Sequence, residues 1–415
     1  MDKYLIKGGK KLSGKVRVSS AKNSVLPLIA GSILTDEKVV IKECPKILDV
    51  LNMIKIIESI GAKTQFDGED LIIDASGVNN YIVKQALAKE LRSSVFMLGS
   101  LISRFRRAEI YYPGGCEIGL RPIDIHISSL RLLGVLIDED GCAVRCDANL
   151  MKAGEVYLDF PSVGATENLI LASVFVKGET VIRNAAKEPE IIDLIRFLNG
   201  MGAKITGGGT DIVKISGVKK LHGTVYKPLS DRIETGTLLV AVAISGGEVE
   251  ISNINPENIS SLIYKLCNNT CKISLNNDII YIKGGKVRKC FSVETNPYPG
   301  FPTDMQAQMT ALATVSKGTS LITENVFEMR FKFVKELIKM GADIKLCGRT
   351  AIVKGVKRLH GAVVRAHDLR GGAALVLAGL NAEGETVVED TRHIERGYAN
   401  FDAKLLSLGA DIKKI

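Results

Sequence analysis

One motif recurs six times along the 415 residues. A repeat of that kind narrows the possible folds more than any compositional figure. An apolar segment with helical spacing ends in Leu/Ile/Met-Gly-Ala or a variant of it: Ile60-Gly61-Ala62, Leu133-Gly134-Val135, Met201-Gly202-Ala203, Met340-Gly341-Ala342 and Leu408-Gly409-Ala410, with a degraded copy at Asn269-Thr270-Cys271. With Thr270 as the glycine equivalent, the spacings are 73, 68, 68, 71 and 68 residues. Glycine at that place suits a helix that closes in the left-handed conformation. A second marker is a β-branched or apolar strand residue, at Val39, Ile110, Val181, Val249, Leu321 and Val387, each preceded by a strongly apolar helical segment. Each repeat reads strand, helix, strand, helix, strands. That alternation predicts an α/β fold whose most apolar helices are buried.

Length suggests two or three domains. Apolar residues make up 46% of the chain, but Trp is absent and aromatics are 5%, so the core must be built from Ile, Val, Leu and Ala. Lys+Arg is 55 against 46 for Asp+Glu, a net charge of +9. The excess is dispersed, without a basic stripe or exposed aromatic platform, which favours small anionic ligands over nucleic acid. The longest apolar stretches, such as residues 238–244, fall far short of the roughly 20 residues of a membrane span. Residues 1–14 carry no apolar h-region, so no signal peptide is expected. The eight cysteines include two CxxxC pairs, Cys142/Cys146 and Cys267/Cys271, without the further ligands of a zinc site. Reduced, mostly buried thiols in the cytoplasm are expected.

The repeat also aligns chemistry. Seventeen residues before each marker strand residue stand Lys22, Ser93, Gly164, Arg232, Asp304 and Arg370, four of them charged, with Arg92 beside Ser93. All fall at or just before the start of an apolar helix, where free N–H groups and the dipole attract anions. Lys or Arg there works against the helix unless an anion is present. Arg121, Glu188, Arg330 and Arg396 occupy similar places 11–14 residues before the closing glycine of their repeats. Guanidinium forks bind phosphate and carboxylate bidentately, so Arg92, Arg121, Arg330, Arg370 and Arg396 form a plausible anion cage, although each alone is more often a surface ion-pair partner. Asp304 is a rare negative group in this set. It is a candidate general base or, on the plainer reading, a helix cap. Gly371-Gly372 directly after Arg370 is expected to loosen that helix start. Residues 112–122, Tyr-Pro-Gly-Gly-Cys-Glu-Ile-Gly-Leu-Arg-Pro, put Cys116 on a glycine-rich loop beside Arg121. This is either a reactive thiol of lowered pKa or an ordinary surface cysteine on a turn.

These segments resemble the UDP-N-acetylglucosamine 1-carboxyvinyltransferases from end to end. The resemblance is carried by Ala21-Lys22-Asn23, Pro113-Gly114-Gly115-Cys116, Gly119-Leu120-Arg121-Pro122, Ser162-Val163-Gly164-Ala165-Thr166, Glu188-Pro189-Glu190, Asp231-Arg232-Ile233-Glu234-Thr235-Gly236-Thr237, Phe301-Pro302-Thr303-Asp304-Met305-Gln306-Ala307-Gln308 and His393-Ile394-Glu395-Arg396-Gly397-Tyr398. It implies a two-domain inside-out α/β barrel of six βαβαββ repeats, three per domain. Residues 22–229 form the domain with the Cys loop, residues 1–21 and 230–415 form the other, and the active site lies in the cleft between them. The implied reaction adds the sugar 3′-hydroxyl to C2 of phosphoenolpyruvate while C3 gains a proton, then eliminates phosphate. This is a step of peptidoglycan precursor synthesis.

By motif match, Cys116 is the acid toward C3 and the expected target of fosfomycin, Asp304 takes the hydroxyl proton, and Lys22 and Arg396 complete the catalytic set. Asn23, Arg92, Arg121, Glu188, Asp231, Arg330 and Arg370 match substrate contacts. Pro122, Ile123, Asp124, Ile125, Ser162, Val163, Gly164 and Val326 match the uridine and sugar pocket. No metal or organic cofactor, nucleic acid or membrane is implied. One departure is Phe160-Pro161, where the family commonly has a basic residue ahead of Ser-Val-Gly; it bears on the nucleotide pocket. Three alternatives remain: the shikimate-3-phosphate transferase of the same fold, which has no need of the Cys116 loop, a weak paralogue kept for binding, and a basic nucleic-acid-binding repeat protein.

Overall fold

The computed structural model describes residues 2–114, 123–269, 271–285 and 288–415. The expectations for Cys116, Arg121, Pro122 and Thr270 lie outside the described residues. The chain divides into two compact units, one taking Met1–Ser19 and Ser230–Ile415, the other Ser20–Cys116 and Arg121–Leu229, each read over its described residues.

Each unit holds three four-stranded sheets, and all six share one strand plan. In one of them the spatial order is Glu155–Tyr157, Glu179–Arg183, Ile212–Ser216, Lys204–Thr206. The first pair is parallel, joined through a helix, and the other two pairs are antiparallel. Two chain exchanges close the plan. The N-terminal strand Lys3–Lys7 takes the place of the last hairpin strand, between Glu385–Glu389 and Asp411–Lys414. Leu12–Arg17 runs parallel to Gly247–Ser252, while Val225–Tyr226 supplies the parallel partner of Val39–Ile41. The N-terminal segment therefore belongs by pairing to the unit made mostly of the C-terminal half.

Helices and sheets exchange their usual roles. Strands such as Lys3–Lys7 and Ile212–Ser216 alternate buried and open positions, so each sheet buries one face. The six apolar helices are buried nearly all round: Lys22–Ser32, Phe96–Phe105 and Val163–Ser173 in one unit, Arg232–Ser245, Gln306–Ala313 and Leu369–Asn381 in the other. In Arg232–Ser245 every residue but the last is buried, the pattern of a helix hydrophobic on all sides. The three helices of a unit run the same way. Arg104, in the last turn of one, donates to the Ile33 carbonyl just beyond the end of another at 2.6 Å. Asn381, closing a third, donates to the Ile244 carbonyl at 2.8 Å. Each unit is thus an inverted α/β barrel, helices inside and sheets outside. Among the described residues no helix is long and apolar enough to cross a membrane.

The repeat glycines act as their spacing predicts. Gly61, Gly134, Gly202, Gly341 and Gly409 all have φ between 88° and 113°. At Gly61 a Cβ would also stand 2.3 Å from the Gly77 carbonyl oxygen, so neither the angle nor the space admits a side chain.

Candidate active site

The seventeen-residue offset lands on a helix start in all six repeats. Lys22 and Arg232 are first residues of their helices, and Gly164 and Arg370 second residues. Ser93 and Asp304 sit in the short 3-10 turns Arg92–Val95 and Thr303–Met305 that lead into theirs.

The unit with the C-terminal half brings Asp304, Arg330 and Arg370 together. Arg330 donates from Nη2 to Asp304 Oδ1 at 2.6 Å, and Arg370 from Nη2 to Oδ2 at 3.0 Å. The two guanidiniums are 4% and 3% exposed and the carboxylate 25%. Asp304 is therefore the shared counter-ion of two buried cations, and it is no cap: neither its 3-10 turn nor the following helix has a side-chain cap. The anion that a cationic helix start demands is supplied from within the chain. Arg330 also lies over the Phe327 ring at 5.3 Å and Arg370 over Tyr398 at 5.2 Å. Arg330 Nε and Arg370 Nη1 are buried with no hydrogen-bond acceptor among the described residues, so each is a desolvated donor left unsatisfied.

The expected loosening at Gly371-Gly372 does not occur. Asp368 caps this helix firmly, accepting from the Arg370 and Gly371 N–H groups at 3.0 and 2.8 Å. A Cβ on Gly371 would meet Phe333 at 2.9 Å, and one on Gly372 would meet Ile394 at 2.8 Å. The glycines are there because neighbours pack onto them, and that packing holds Arg370 in place. Nearby, Asp231 caps its helix through Oδ1, which accepts from the Ile233 and Glu234 N–H groups. Arg396 is half-buried just after the short helix Arg392–Glu395, and Val326 half-buried in the loop after Thr319–Thr323.

In the other unit, Lys22 pairs with Asp49 Oδ2 at 2.8 Å, the lysine 14% and the aspartate 2% exposed. Asn23 and Arg92 are half-buried at their helix starts. Ser162 caps Val163–Ser173, its hydroxyl accepting from Ala165 N–H at 3.3 Å. Gly164 lies against His126: a Cβ there would stand 3.0 Å from the ring. Asn168 fixes that ring by a 2.7 Å contact to Nδ1, while its amide also bonds the Val95 carbonyl and the Gly99 N–H. Ile123 is buried, Asp124 opens the helix Asp124–Leu132, and Ile125 follows it. Glu188 stands at the N-cap position of Pro189–Gly200. Beside it lies Glu167, 1% exposed, with neither carboxyl oxygen hydrogen-bonded among the described residues. Burial, with Glu190 and Glu188 adding to it, pushes Glu167 well above the usual carboxylate range, so it is held as the neutral acid.

Sequence reasoning did not single out Asp49, His126, Glu167 or Glu324. Asp49 is in the second helix of its repeat, 27 residues from Lys22, and no spacing rule pairs them. Glu167 directly follows the Ser162–Thr166 motif and His126 directly follows Ile125 of the expected pocket, which was the only available signal.

The chain matches the family described as EPSP synthase (3-phosphoshikimate 1-carboxyvinyltransferase) over residues 6–405. It is 49% identical to UDP-N-acetylglucosamine 1-carboxyvinyltransferase 2 of Caldanaerobacter subterraneus subsp. tengcongensis, over 100% of both chains. It is 48% identical to UDP-N-acetylglucosamine 1-carboxyvinyltransferase 1 of Clostridium acetobutylicum, again over 100% of both. The enolpyruvyl transferase NikO of Streptomyces tendae superposes with a TM-score of 0.90 at 24% identity, covering 100% of this chain and 99% of that one. EPSP synthase from Acinetobacter baumannii gives 0.77 at 18%, covering 100% of both. These last two show the shared fold. Full-length identity close to one half, on a fold with these helix starts, means that the chain belongs to the UDP-N-acetylglucosamine 1-carboxyvinyltransferase family of enolpyruvyl transferases.

Proposed function

We propose that the protein transfers the enolpyruvyl group of phosphoenolpyruvate to the 3′-hydroxyl of UDP-N-acetylglucosamine and releases phosphate, a step of peptidoglycan precursor synthesis in the cytoplasm. The observation that carries this is end-to-end identity with relatives of that name. The Asp304–Arg330–Arg370 cluster supplies the chemistry such a reaction needs.

Arg330, Arg370, Arg396 and Lys22 bind the phosphate and carboxylate of phosphoenolpyruvate, with Arg92 and Arg121 adding charge. Arg330 and Arg370 are committed to Asp304 beforehand. A substrate anion that competes with Asp304 for these guanidiniums releases one of its lone pairs toward the sugar hydroxyl. The hydroxyl oxygen then bonds to C2, its proton passes to Asp304, and the Cys116 thiol protonates C3. Elimination reverses the proton at C3, returning it to Cys116. The C2–O bond to phosphate breaks, the double bond reforms, and the phosphate leaves with the proton that Asp304 had taken. The buried guanidiniums stabilise the charge that moves onto phosphate more strongly than water would. Asn23, Glu188 and Asp231 contact the adduct and sugar. Ile123, Asp124, Ile125, Ser162, Val163, Gly164 and Val326, with Pro122, form the uridine and sugar pocket. Fosfomycin, an electrophilic epoxide, alkylates Cys116.

The test is phosphate release from phosphoenolpyruvate with either UDP-N-acetylglucosamine or shikimate 3-phosphate as acceptor. Release only with the sugar nucleotide supports the reading, and release only with shikimate 3-phosphate overturns it.

A further inference from the structure

A buried carboxylate outside the expected site ties the anion-binding arginine to the loop that carries Val326. Glu324 is 1% exposed and ends the strand Thr319–Thr323. Its Oε1 accepts from the Val326 N–H at 2.8 Å, the Phe327 N–H at 3.1 Å and the Thr295 hydroxyl at 2.8 Å. Its Oε2 accepts from the Thr303 hydroxyl at 2.9 Å. Thr303 Oγ1 in turn accepts from Arg330 Nη1 at 2.8 Å, and Arg330 Nη2 reaches Asp304. Phe327, whose N–H Glu324 holds, is the ring under the Arg330 guanidinium. Two independent routes thus run from one carboxylate to one guanidinium: a hydroxyl relay at its edge and a ring against its face.

The chemistry fixes the direction of the relay. An ionised carboxylate can only accept, so the Thr303 proton must point to Glu324. That leaves the Thr303 lone pairs for Arg330, and the guanidinium is held in one rotation. Arg330 spends one N–H of Nη1 on Thr303 and one of Nη2 on Asp304, so two separate bonds fix the plane of the guanidinium. We propose that Glu324 is a positioning residue for the transfer reaction: through Thr303 and Phe327 it sets the angle of Arg330 on Asp304, and through the Val326 and Phe327 N–H groups it sets the loop of the sugar pocket. One carboxylate then aligns the anion site and the acceptor site with each other. The inference rests on the reading that Arg330 and Asp304 serve enolpyruvyl transfer.

Thr303→Val tests the relay, since it keeps the shape, removes the hydroxyl and leaves the loop bonds of Glu324 intact. It should lower kcat/KM for phosphoenolpyruvate roughly tenfold or more, as misplacement of a binding group does, while KM for UDP-N-acetylglucosamine stays within about twofold. Thr303→Ser should restore the parent values. Glu324→Gln retains volume but puts an N–H₂ where an acceptor is required, and should impair both substrates. A purely structural role predicts lower melting temperatures with both substrates affected alike in every variant and no rescue by serine. Nε–Hε NMR of arginine in the unliganded protein, with Arg330 assigned by its loss in Arg330→Lys, reads the positioning without turnover. The Arg330 signal should be rigid in the parent and averaged in Thr303→Val. A parent that binds neither substrate would refute the functional reading alone, because the NMR comparison still decides the positioning. Thr303→Val with parent kinetics, or with an equally rigid Arg330, overturns the inference.

Discussion

Asp304→Asn separates two jobs of one carboxylate, the counter-ion that the structure shows and the proton acceptor proposed above. The substitution keeps size and one acceptor oxygen but leaves two buried guanidiniums to share it. Arg330 and Arg370 are almost wholly buried, so neither can turn to water for compensation. Removing one partner of a buried pair costs about 3–5 kcal/mol; with Asp304 a quarter exposed and the amide oxygen still accepting, the loss should be about 2–3 kcal/mol. For a unit of this size that is a fall in Tm of roughly 4–12 °C, at about 2–4 °C per kcal/mol. An anion should repair it. Inorganic phosphate fills the gap between the two cations, so it should raise the Tm of Asp304→Asn by more than that of the parent. Catalysis should respond in the opposite sense: loss of the proton acceptor lowers kcat by about 10²–10⁴, while KM for phosphoenolpyruvate stays level or falls, because its anions no longer compete with Asp304. Differential scanning fluorimetry across a phosphate series and steady-state phosphate release read the two halves. If Asp304→Asn turns over at the parent rate, the proton-acceptor role is wrong. If phosphate stabilises parent and variant equally, the counter-ion argument is wrong as well.

Further outcomes follow from the same geometry. Arg370→Ala should weaken phosphoenolpyruvate binding by roughly 2–5 kcal/mol, the range for losing one partner of a desolvated charge pair, and calorimetric titration with the sugar nucleotide present reads it. Fosfomycin should add to Cys116: burial pushes the Cys44 and Cys146 thiols up to about 12 and Cys271 to about 11, while Cys142, Cys267, Cys290 and Cys347 are exposed, contrary to the mostly buried thiols expected, and are the competitors that the experiment must show unlabelled. Mass spectrometry showing adducts spread over several cysteines would count against a special Cys116, and Cys116→Asp should keep some turnover while escaping alkylation. Glu167 carries a pH signature. Its folded-state affinity for a proton is raised, so the unfolded chain ionises first as pH rises above the ordinary 4.5 while the folded chain holds its proton. Stability is therefore lost progressively from that point upward. Glu167→Gln should remove this loss, giving a Tm above the parent at pH 8 and close to it at pH 4.5; a parallel pair of Tm–pH curves would refute the assignment.

Much of this was legible in the chain because repetition exposes geometry. The five intact Gly markers occupy left-handed helix ends, and the offset from strand to helix start held across six copies. Partnerships were less legible. Lys22 and Arg370 read as cations awaiting a ligand, yet each has an internal carboxylate, Asp49 and Asp304, supplied by a different secondary-structure element. Local propensity misjudged Gly371-Gly372, because propensity weighs backbone freedom and these two glycines answer to Phe333 and Ile394 packed against them. Glu324 lay in plain view before Asn325-Val326 but carries no motif of its own. Its importance comes from three N–H or O–H donors meeting at one oxygen, and only the folded chain brings them there.

The internal counter-ions explain how a chain of net charge +9 can gather buried cations without losing its fold. Bare guanidiniums in a low-dielectric setting would repel one another and forgo hydration. Asp49 and Asp304 remove that penalty in different ways. Asp49 is 2% exposed and pairs with Lys22, one carboxylate to one ammonium. Asp304 is 25% exposed and shared by two arginines. It is the counter-ion that an arriving anion can partly relieve. A singly charged anion offers too little to compete with a carboxylate already held by two short bonds. A ligand carrying both phosphate and carboxylate can engage both arginines at once, and in doing so frees an oxygen of Asp304, the proposed proton acceptor. On this reading, selection of the doubly anionic substrate and activation of the base are one electrostatic event, and Glu324 keeps it aligned by holding Arg330 at a fixed angle.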